Sequence, residues 1–285
     1  MRVTRRALLG AMAAWAAPLR ERVSVVTDEV AGSEADAFAF CRAHGVRAIE
    51  LRSVPGTKKG YWDLPAGEQA AFARRVKDEG LRVTFIDSAL GAAPLAGTEP
   101  VKRPGPAEAG RFARLGEDLD RVLGLTDRVG CPAARCFAFR RVAKPTGLLA
   151  RIADVLAPLG ERAGRAGVRL LIENEASCNV MTCRELAAFA RLSALGINWD
   201  PGNAVRAERA YPDGYALLPK GRIGNVQVKG KGILPGGPDP VDWAAIFRAL
   251  AGDGYAGWVG LETHTAQRYA DSPAALRELR RALGA

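Results

Sequence analysis

Histidine is nearly absent from this chain: there are two in 285 residues. That excludes the Cys/His spacing of a zinc finger. Cysteine is scarce as well. Cys41, Cys131, Cys136, Cys178 and Cys183 are odd in number and contain no C-x-x-C pair. They are expected as buried thiols, with a Cys178–Cys183 bridge as the alternative. No apolar run is long enough to span a bilayer. No G-x-G-x-x-G follows the first strand, and Gly230-Lys231-Gly232 lacks the form of a phosphate loop. A disordered low-complexity region is missing too. The 32 glycines and 17 prolines are scattered through many short turns, as repeated strand–helix units require.

Charge is present in excess of one sign, +10 overall. Part of it belongs to a leader. Thr4-Arg5-Arg6-Ala7-Leu8-Leu9-Gly10 precedes a short Ala-rich stretch and Ala14-Trp15-Ala16, a small-x-small cleavage pattern. Residues 1–17 therefore have the form of a twin-arginine signal peptide, with the mature domain over 21–285. Its removal takes away three arginines and no acid, leaving +7. The expected location is periplasmic or secreted, with no stable membrane anchor after cleavage. The remaining excess is spread along the chain as arginines on helices (Arg74-Arg75, Arg140-Arg141, Arg280-Arg281). Such a distribution reads as a solvated basic surface rather than a nucleic-acid site.

The mature length suits one large α/β domain, and a single eight-stranded barrel takes about 250 residues. Eight strand-like runs are found: Val23–Thr27, Arg47–Leu51, Leu81–Ile86, Ala134–Phe139, Val168–Ile172, Gly196–Trp199, Arg222–Lys229 and Gly257–Leu261. A helix or helix-sized segment follows each. Ser33 and Ser272 read as N-caps, the second with Pro273 at the first helical position, and Pro158 reads as a kink or break. Gly91–Pro106 is the longest irregular stretch, of the kind that forms a binding loop. The economical architecture is a single α/β (β/α)8 TIM barrel, with a doubly wound sheet as runner-up.

Three of the strands break into a carboxylate at their C-terminal ends: Glu173, Asp200 and Glu262. Parallel strands are buried, so acids there are unexpected unless they serve the ligand face of the sheet. Residues two apart point the same way, which pairs Glu173 with Glu175, Gln227 with Lys229, and Glu262 with His264. Glu173, Asp200, Gln227 and Glu262 at one mouth would give three carboxylates and an amide around one point. Carboxylates that close raise one another's pKa unless a cation neutralises them. Oxygen-rich ligation favours Mn²⁺, Mg²⁺ or Ca²⁺ over thiolate-seeking metals.

Leu171-Ile172-Glu173-Asn174-Glu175, Trp199-Asp200-Pro201-Gly202-Asn203, Val226-Gln227-Val228-Lys229 and Gly260-Leu261-Glu262-Thr263-His264 resemble motifs of the sugar phosphate isomerase/epimerase family of xylose-isomerase-like TIM barrels. The resemblance covers the chain after the leader, with the motifs in order on strands five to eight. It implies one divalent metal ion, Mn²⁺ first, with Mg²⁺, Co²⁺ and Zn²⁺ as alternatives. Glu173, Asp200, Gln227 and Glu262 would be its ligands. Glu173 and Glu262 would move the proton beside a substrate carbonyl. Lys229, His264, Asn203 and Glu50 are the candidate substrate contacts. Strand seven departs from the family's His-x-Lys-Asp, reading Gln227-Val228-Lys229-Gly230. A Gln oxygen is a weaker, neutral donor, and His264 is the residue that would replace the missing imidazole. Two histidines are too few for an abasic-site endonuclease, which shares this barrel. The implied activity is isomerisation or epimerisation of a non-phosphorylated sugar or keto-sugar. A lyase acting on a sugar derivative and a metal-free carbohydrate-binding barrel are the alternatives. The expected partner is a small carbohydrate, with self-association left open.

Overall fold

A computed structural model of the protein describes residues 18–108 and 110–284. The expected leader lies outside the described residues. Eight strands, β1 (Val23–Val26), β2 (Ala48–Leu51), β3 (Arg82–Ile86), β4 (Ala133–Cys136), β5 (Arg169–Glu173), β6 (Gly196–Trp199), β7 (Ile223–Lys229) and β8 (Trp258–Glu262), pair in sequence order. All pairs are parallel, and β8 returns to β1, closing the barrel. The single-barrel expectation holds, and the doubly wound alternative does not.

Alternation along each strand divides the side chains into two sets. Val25, Ile49, Ile172, Ile197, Trp199, Val226, Val228, Val259 and Leu261 are buried apolar residues packed against the surrounding helices. Those helices include α1 (Glu34–His44), α2 (Ala66–Asp78), α3 (Leu115–Val129), α4 (Leu149–Arg165), α5 (Cys183–Leu192), α6 (Trp243–Gly252) and α7 (Arg268–Leu283). After β6 only short turns stand where a helix would, at Pro201–Ala204, Ala210–Gly214 and Tyr215–Leu217. Ser33 caps α1 as expected, its side chain accepting from Asp36 N. Thr182 and Glu185 form a reciprocal capping box on α5. No helix among the described residues is long and apolar enough to cross a membrane.

Two local expectations, the cap at Ser272 and a break at Pro158, need correction, and the buried thiols hold. Helix α7 starts at Arg268, so Ser272 lies inside it. Its hydroxyl bonds Arg268 O at 2.7 Å and Glu29 O at 3.1 Å, tying the helix to the end of β1 instead of capping it. Helix α4 runs through Pro158 without ending. The five cysteines are all free and buried, so Cys178 and Cys183 form no bridge. Burial pushes their thiols up, away from the thiolate form.

The opposite set of strand residues faces the barrel axis and is mostly polar. At the base, Leu171 fills the interior, and glycine at 196 and 224 makes room for it. A Cβ on either would lie 2.3 or 2.9 Å from its methyls. Higher up, Gly260 on β8 makes the corresponding room for Glu50, since a Cβ there would stand 2.3 Å from Glu50 Oε1. The Glu50 carboxylate cannot swing aside cheaply, because Ser24, Asn225 and Gln227 all bond it. Gly260→Ala should therefore lower unfolding stability by about 1–3 kcal/mol, the range for overpacking a filled interior. Urea denaturation would measure this, and an unchanged midpoint would show that the Glu50 site is slack.

Candidate active site

Within the barrel the inward polar residues form a hydrogen-bonded ring. Ser24 Oγ on β1 donates to Glu50 Oε1 on β2 at 2.7 Å. Gln227 Nε2 on β7 donates to Glu50 Oε2 at 2.6 Å and to Asp87 Oδ1, just past β3, at 3.2 Å. Asn225 Nδ2, also on β7, reaches Asn198 Oδ1 on β6 at 3.2 Å, and Asn198 Nδ2 donates to Glu173 Oε2 on β5 at 2.7 Å. Arg135 on β4 completes the circuit with Nη1 2.9 Å from Glu173 Oε2 and 3.4 Å from Asp87 Oδ1. Every member is buried, so each bond offsets a desolvation cost that water would otherwise have met.

Above this ring stands a second group. Pairing of β7 with β8 sets Gln227 opposite Gly260 and Lys229 opposite Glu262. Lys229, not Gln227, is therefore level with Glu262. Its Nζ lies 2.7 Å from Glu262 Oε2 and 3.0 Å from Asp200 Oδ2. Arg52, just past β2, places Nη1 2.6 Å from Glu262 Oε1 and also pairs with Asp28 and Glu29. Asn203 Nδ2 reaches Glu173 Oε1 at 3.3 Å, and its backbone N–H donates to Asp200 Oδ1.

Charge states follow from these contacts. Burial pushes Glu50 and Glu173 up, with Ser24 and Gln227 opposing at the first and Arg135 at the second. Burial raises Asp87 well above its ordinary range, against the pull of Arg135. Burial also lifts Asp200, to about 7, although Lys229 opposes it. At Glu262 burial acts the same way but is outweighed by Lys229, His264 and Arg52, so the carboxyl falls well below its usual range. Lys229 is held charged: burial lowers it, and Asp200 and Glu262 more than compensate. The mouth thus contains one carboxyl held well below its usual range beside others pushed upward, the pattern by which acid and base roles separate.

The residues expected from the sequence take different places. Glu173, Asp200, Lys229 and Glu262 converge at the C-terminal end of the barrel. Gln227 points below them, into the ring, with Oε1 unpartnered. Glu50 is completely buried, its carboxylate bonded to Ser24, Asn225 and Gln227, which puts it beneath the mouth rather than at its surface. His264 adopts φ 45°, which turns its half-exposed imidazole beside Glu262, with Nδ1 3.4 Å from Oε1. Glu175 leaves the strand's alternation and accepts from Ser177 N. At Gly230 a Cβ would lie 2.5 Å from Thr263 O, so the close approach of the β7 and β8 ends excludes any side chain.

As a metal quartet the four expected ligands do not fit. Lys229 stands between Asp200 and Glu262, Arg135 engages Glu173, and Gln227 is level with Gly260. Among the described residues, the group whose ligand atoms all lie within 4.8 Å of one another is Glu29, Glu262 and His264. That carboxylate–imidazole set matches the donor chemistry of a divalent ion. It borders a cavity of about 610 Å³ lined by Asp28, Glu29, Arg52, Thr57, His264 and Arg268, among others. Arg52 and His264 connect this cavity to Glu262.

Sequence reasoning missed Arg52, Asp87 and Arg135. The same signal that exposed the three carboxylates was available for them: a charged residue within or directly after an apolar strand. It was applied to acids on the later strands and not to cations.

The sequence profile of the xylose isomerase-like TIM barrel family matches residues 38–283. No curated protein matches the chain. Among solved structures, an L-ribulose 3-epimerase superposes with a TM-score of 0.64 at 21% identity, over 92% of this chain and 95% of that one. A 3-keto-D-glucoside 4-epimerase from E. coli gives 0.66 at 16%, over 91% and 99%. A xylose isomerase-like TIM barrel protein from Mycobacterium smegmatis, in complex with magnesium, gives 0.67 at 17%, over 95% and 99%. At these identities the likeness is one of fold.

The Asp200 carboxyl gives a test by pH. Its folded pKa, about 7, exceeds the ordinary Asp value of about 3.9. The native state then binds the extra proton, so stability falls as pH rises from about 4 to about 7 and levels above that. Glu50, Asp87 and Glu173, raised as well, act with the same sign. Asp200→Asn should flatten the upper end of this fall in a pH series of urea denaturation. An identical slope in both proteins between pH 6 and 7 would assign the titration elsewhere.

Proposed function

The chain belongs to the xylose isomerase-like TIM barrel family, and we propose that it is an isomerase or epimerase of a non-phosphorylated sugar or keto-sugar. The observation that carries this is the split environment of the carboxyls at the mouth. Glu262 is held ionised by Lys229 and Arg52, while Glu173 and Asp200 are pushed towards their acid forms. Glu262 takes the proton from the carbon beside a sugar carbonyl, and Glu173 supplies one in return. Asn203 and Asn198 fix the Glu173 oxygens for that task. The neighbouring cavity has the volume and polar lining for a small carbohydrate. L-ribulose 3-epimerase and 3-keto-D-glucoside 4-epimerase, both alike in fold, give a precedent for this class of reaction.

Divalent-metal dependence is a second reading, favoured by Glu29, Glu262 and His264 and by the magnesium-bound relative. Mn²⁺ suits such a group, and Mg²⁺, Co²⁺ or Zn²⁺ are compatible with it. A divalent ion there would supply Lewis-acid polarisation of a substrate oxygen, worth several kcal/mol.

Location belongs to the same proposal. The twin-arginine leader pattern would place the enzyme outside the cytoplasm, where free sugars rather than phosphorylated ones are met. Changing Arg5 and Arg6 together to Lys should leave the precursor in the cytoplasm. Arrival of the double variant in the periplasm would remove that support for a non-phosphorylated substrate.

Proton transfer itself can be followed in ²H₂O by NMR with a panel of free keto-sugars. Wild type should wash deuterium into the carbon next to the carbonyl. Glu262→Gln and Glu173→Gln should each slow the exchange by about 10²–10⁴, the usual contribution of a positioned acid or base. Exchange at the wild-type rate in both variants would refute the assignment of these two groups.

A further inference from the structure

We propose that the ammonium of Lys229 is the catalytic cation of this site, occupying the position between Asp200 and Glu262 that a divalent metal would otherwise need. The inference rests on the proton-transfer reading above for its chemistry, and on geometry alone for its placement. Strand register puts Lys229 level with Glu262. Both carboxylates lie within ion-pair distance of Nζ, at 2.7 and 3.0 Å. Lys229 is only 4% exposed, so the charge acts in a medium of low effective dielectric, where it is worth far more than in water. Gly202 packs beside both groups: a Cβ there would touch the Lys229 stem at 3.4 Å and press on Asp200 Oδ1 at 3.2 Å.

The neighbouring acids are engaged by cations of the same chain. Arg135 holds Glu173, and Arg52 holds Asp28, Glu29 and the second oxygen of Glu262. A metal entering between Asp200 and Glu262 would have to expel a buried ammonium and leave it unpaired, a cost of the kind that breaks buried ion pairs. Gln227 lies one layer down, level with Gly260 rather than Glu262, so its unpartnered Oε1 is not between Asp200 and Glu262.

The ammonium has three donors; one bonds Glu262 Oε2, and Asp200 Oδ2 lies at ion-pair distance with no hydrogen bond of its own. Another donates to the substrate carbonyl oxygen. As Glu262 removes the α-proton, the C–H pair becomes the C–C π bond and the carbonyl π pair moves onto oxygen. The resulting negative charge is met by Lys229. Attraction of Lys229 to that oxygen loosens its hold on Glu262 and raises the basicity of the carboxylate as the proton arrives. Return of a proton from Glu173 to carbon restores the carbonyl, so no other reactant is consumed.

Metal binding measured apart from activity tests the placement. Purified wild type dialysed against Mn²⁺ should retain a substoichiometric amount, and its unfolding midpoint should not shift with added Mn²⁺, since a ligand of the native state would raise it. Lys229→Met removes the ammonium and leaves Asp200 and Glu262 facing a vacated space. Its Mn²⁺ affinity should rise by at least about tenfold, or 1.4 kcal/mol, read by equilibrium dialysis or Mn²⁺ electron paramagnetic resonance. Stoichiometric Mn²⁺ in the wild type, at any group of residues, would overturn the proposal. So would Lys229→Met that folds and gains no affinity. Should that variant not fold, Lys229→Gln, which keeps both carboxylates and fills the space with a neutral amide, substitutes for it, with a gain in Mn²⁺ affinity expected and no gain overturning the proposal. The dialysis and midpoint of wild type decide the matter independently. Failure of the sugar-exchange assay with these metal results intact would refute the isomerase reading and leave the cation assignment standing.

Discussion

Buried carboxylates need partners, and the interior of this barrel is arranged around meeting that need. Glu50, Asp87, Glu173, Asp200 and Glu262 are all withdrawn from water. Lys229, Arg135 and Arg52 are the cations set among them. Three cations for five acids, with Arg52 also engaged by Asp28 and Glu29, leave a surplus of negative charge. Burial pushes Glu50, Asp87, Glu173 and Asp200 upward, towards the neutral form that would relieve it. The ionised form survives at Glu262, where two cations meet one carboxylate. Acid and base character at the mouth is therefore a property of the whole charge set and cannot be assigned one residue at a time.

Strand register converts this electrostatic requirement into a layered site. Because side chains alternate with a period of two, Gln227 and Lys229 both face the axis but at different heights. The lower layer is linked through Ser24, Glu50, Gln227, Asn225, Asn198 and Arg135, with Gln227 Oε1 unpartnered and with Glu173, also bonded by Asn203, joining it to the mouth. The upper layer is where Lys229, Asp200 and Glu262 meet, beside the cavity. Glycine at 260 leaves space for the Glu50 carboxylate in the lower layer. A rigid lower layer of this kind holds the reacting groups above it on strands rather than loops, which favours precise orientation.

Periodicity and strand-end acids were sufficient to read the barrel, the order of its strands and the face that carries Glu173, Asp200 and Glu262. These depend on local patterning, which survives in one dimension. The capping of α1 by Ser33 was legible for the same reason. The start of α7 was not, because Ser272 is drawn to Glu29 O across the barrel end, a contact 243 residues away in sequence.

Which side chain fills the space between Asp200 and Glu262 was decided only by tertiary structure. Sequence placed Gln227 there by motif, since residues two apart are equivalent in direction and nothing local distinguishes their heights. The β7–β8 pairing sets Lys229 opposite Glu262 and lowers Gln227 to the level of Gly260. Arg135 is likewise an ordinary residue of β4 until pairing with β5 brings it within 2.9 Å of Glu173. The amino-acid sequence determined that carboxylates would gather at one mouth; the stagger of neighbouring strands determined which cations would answer them.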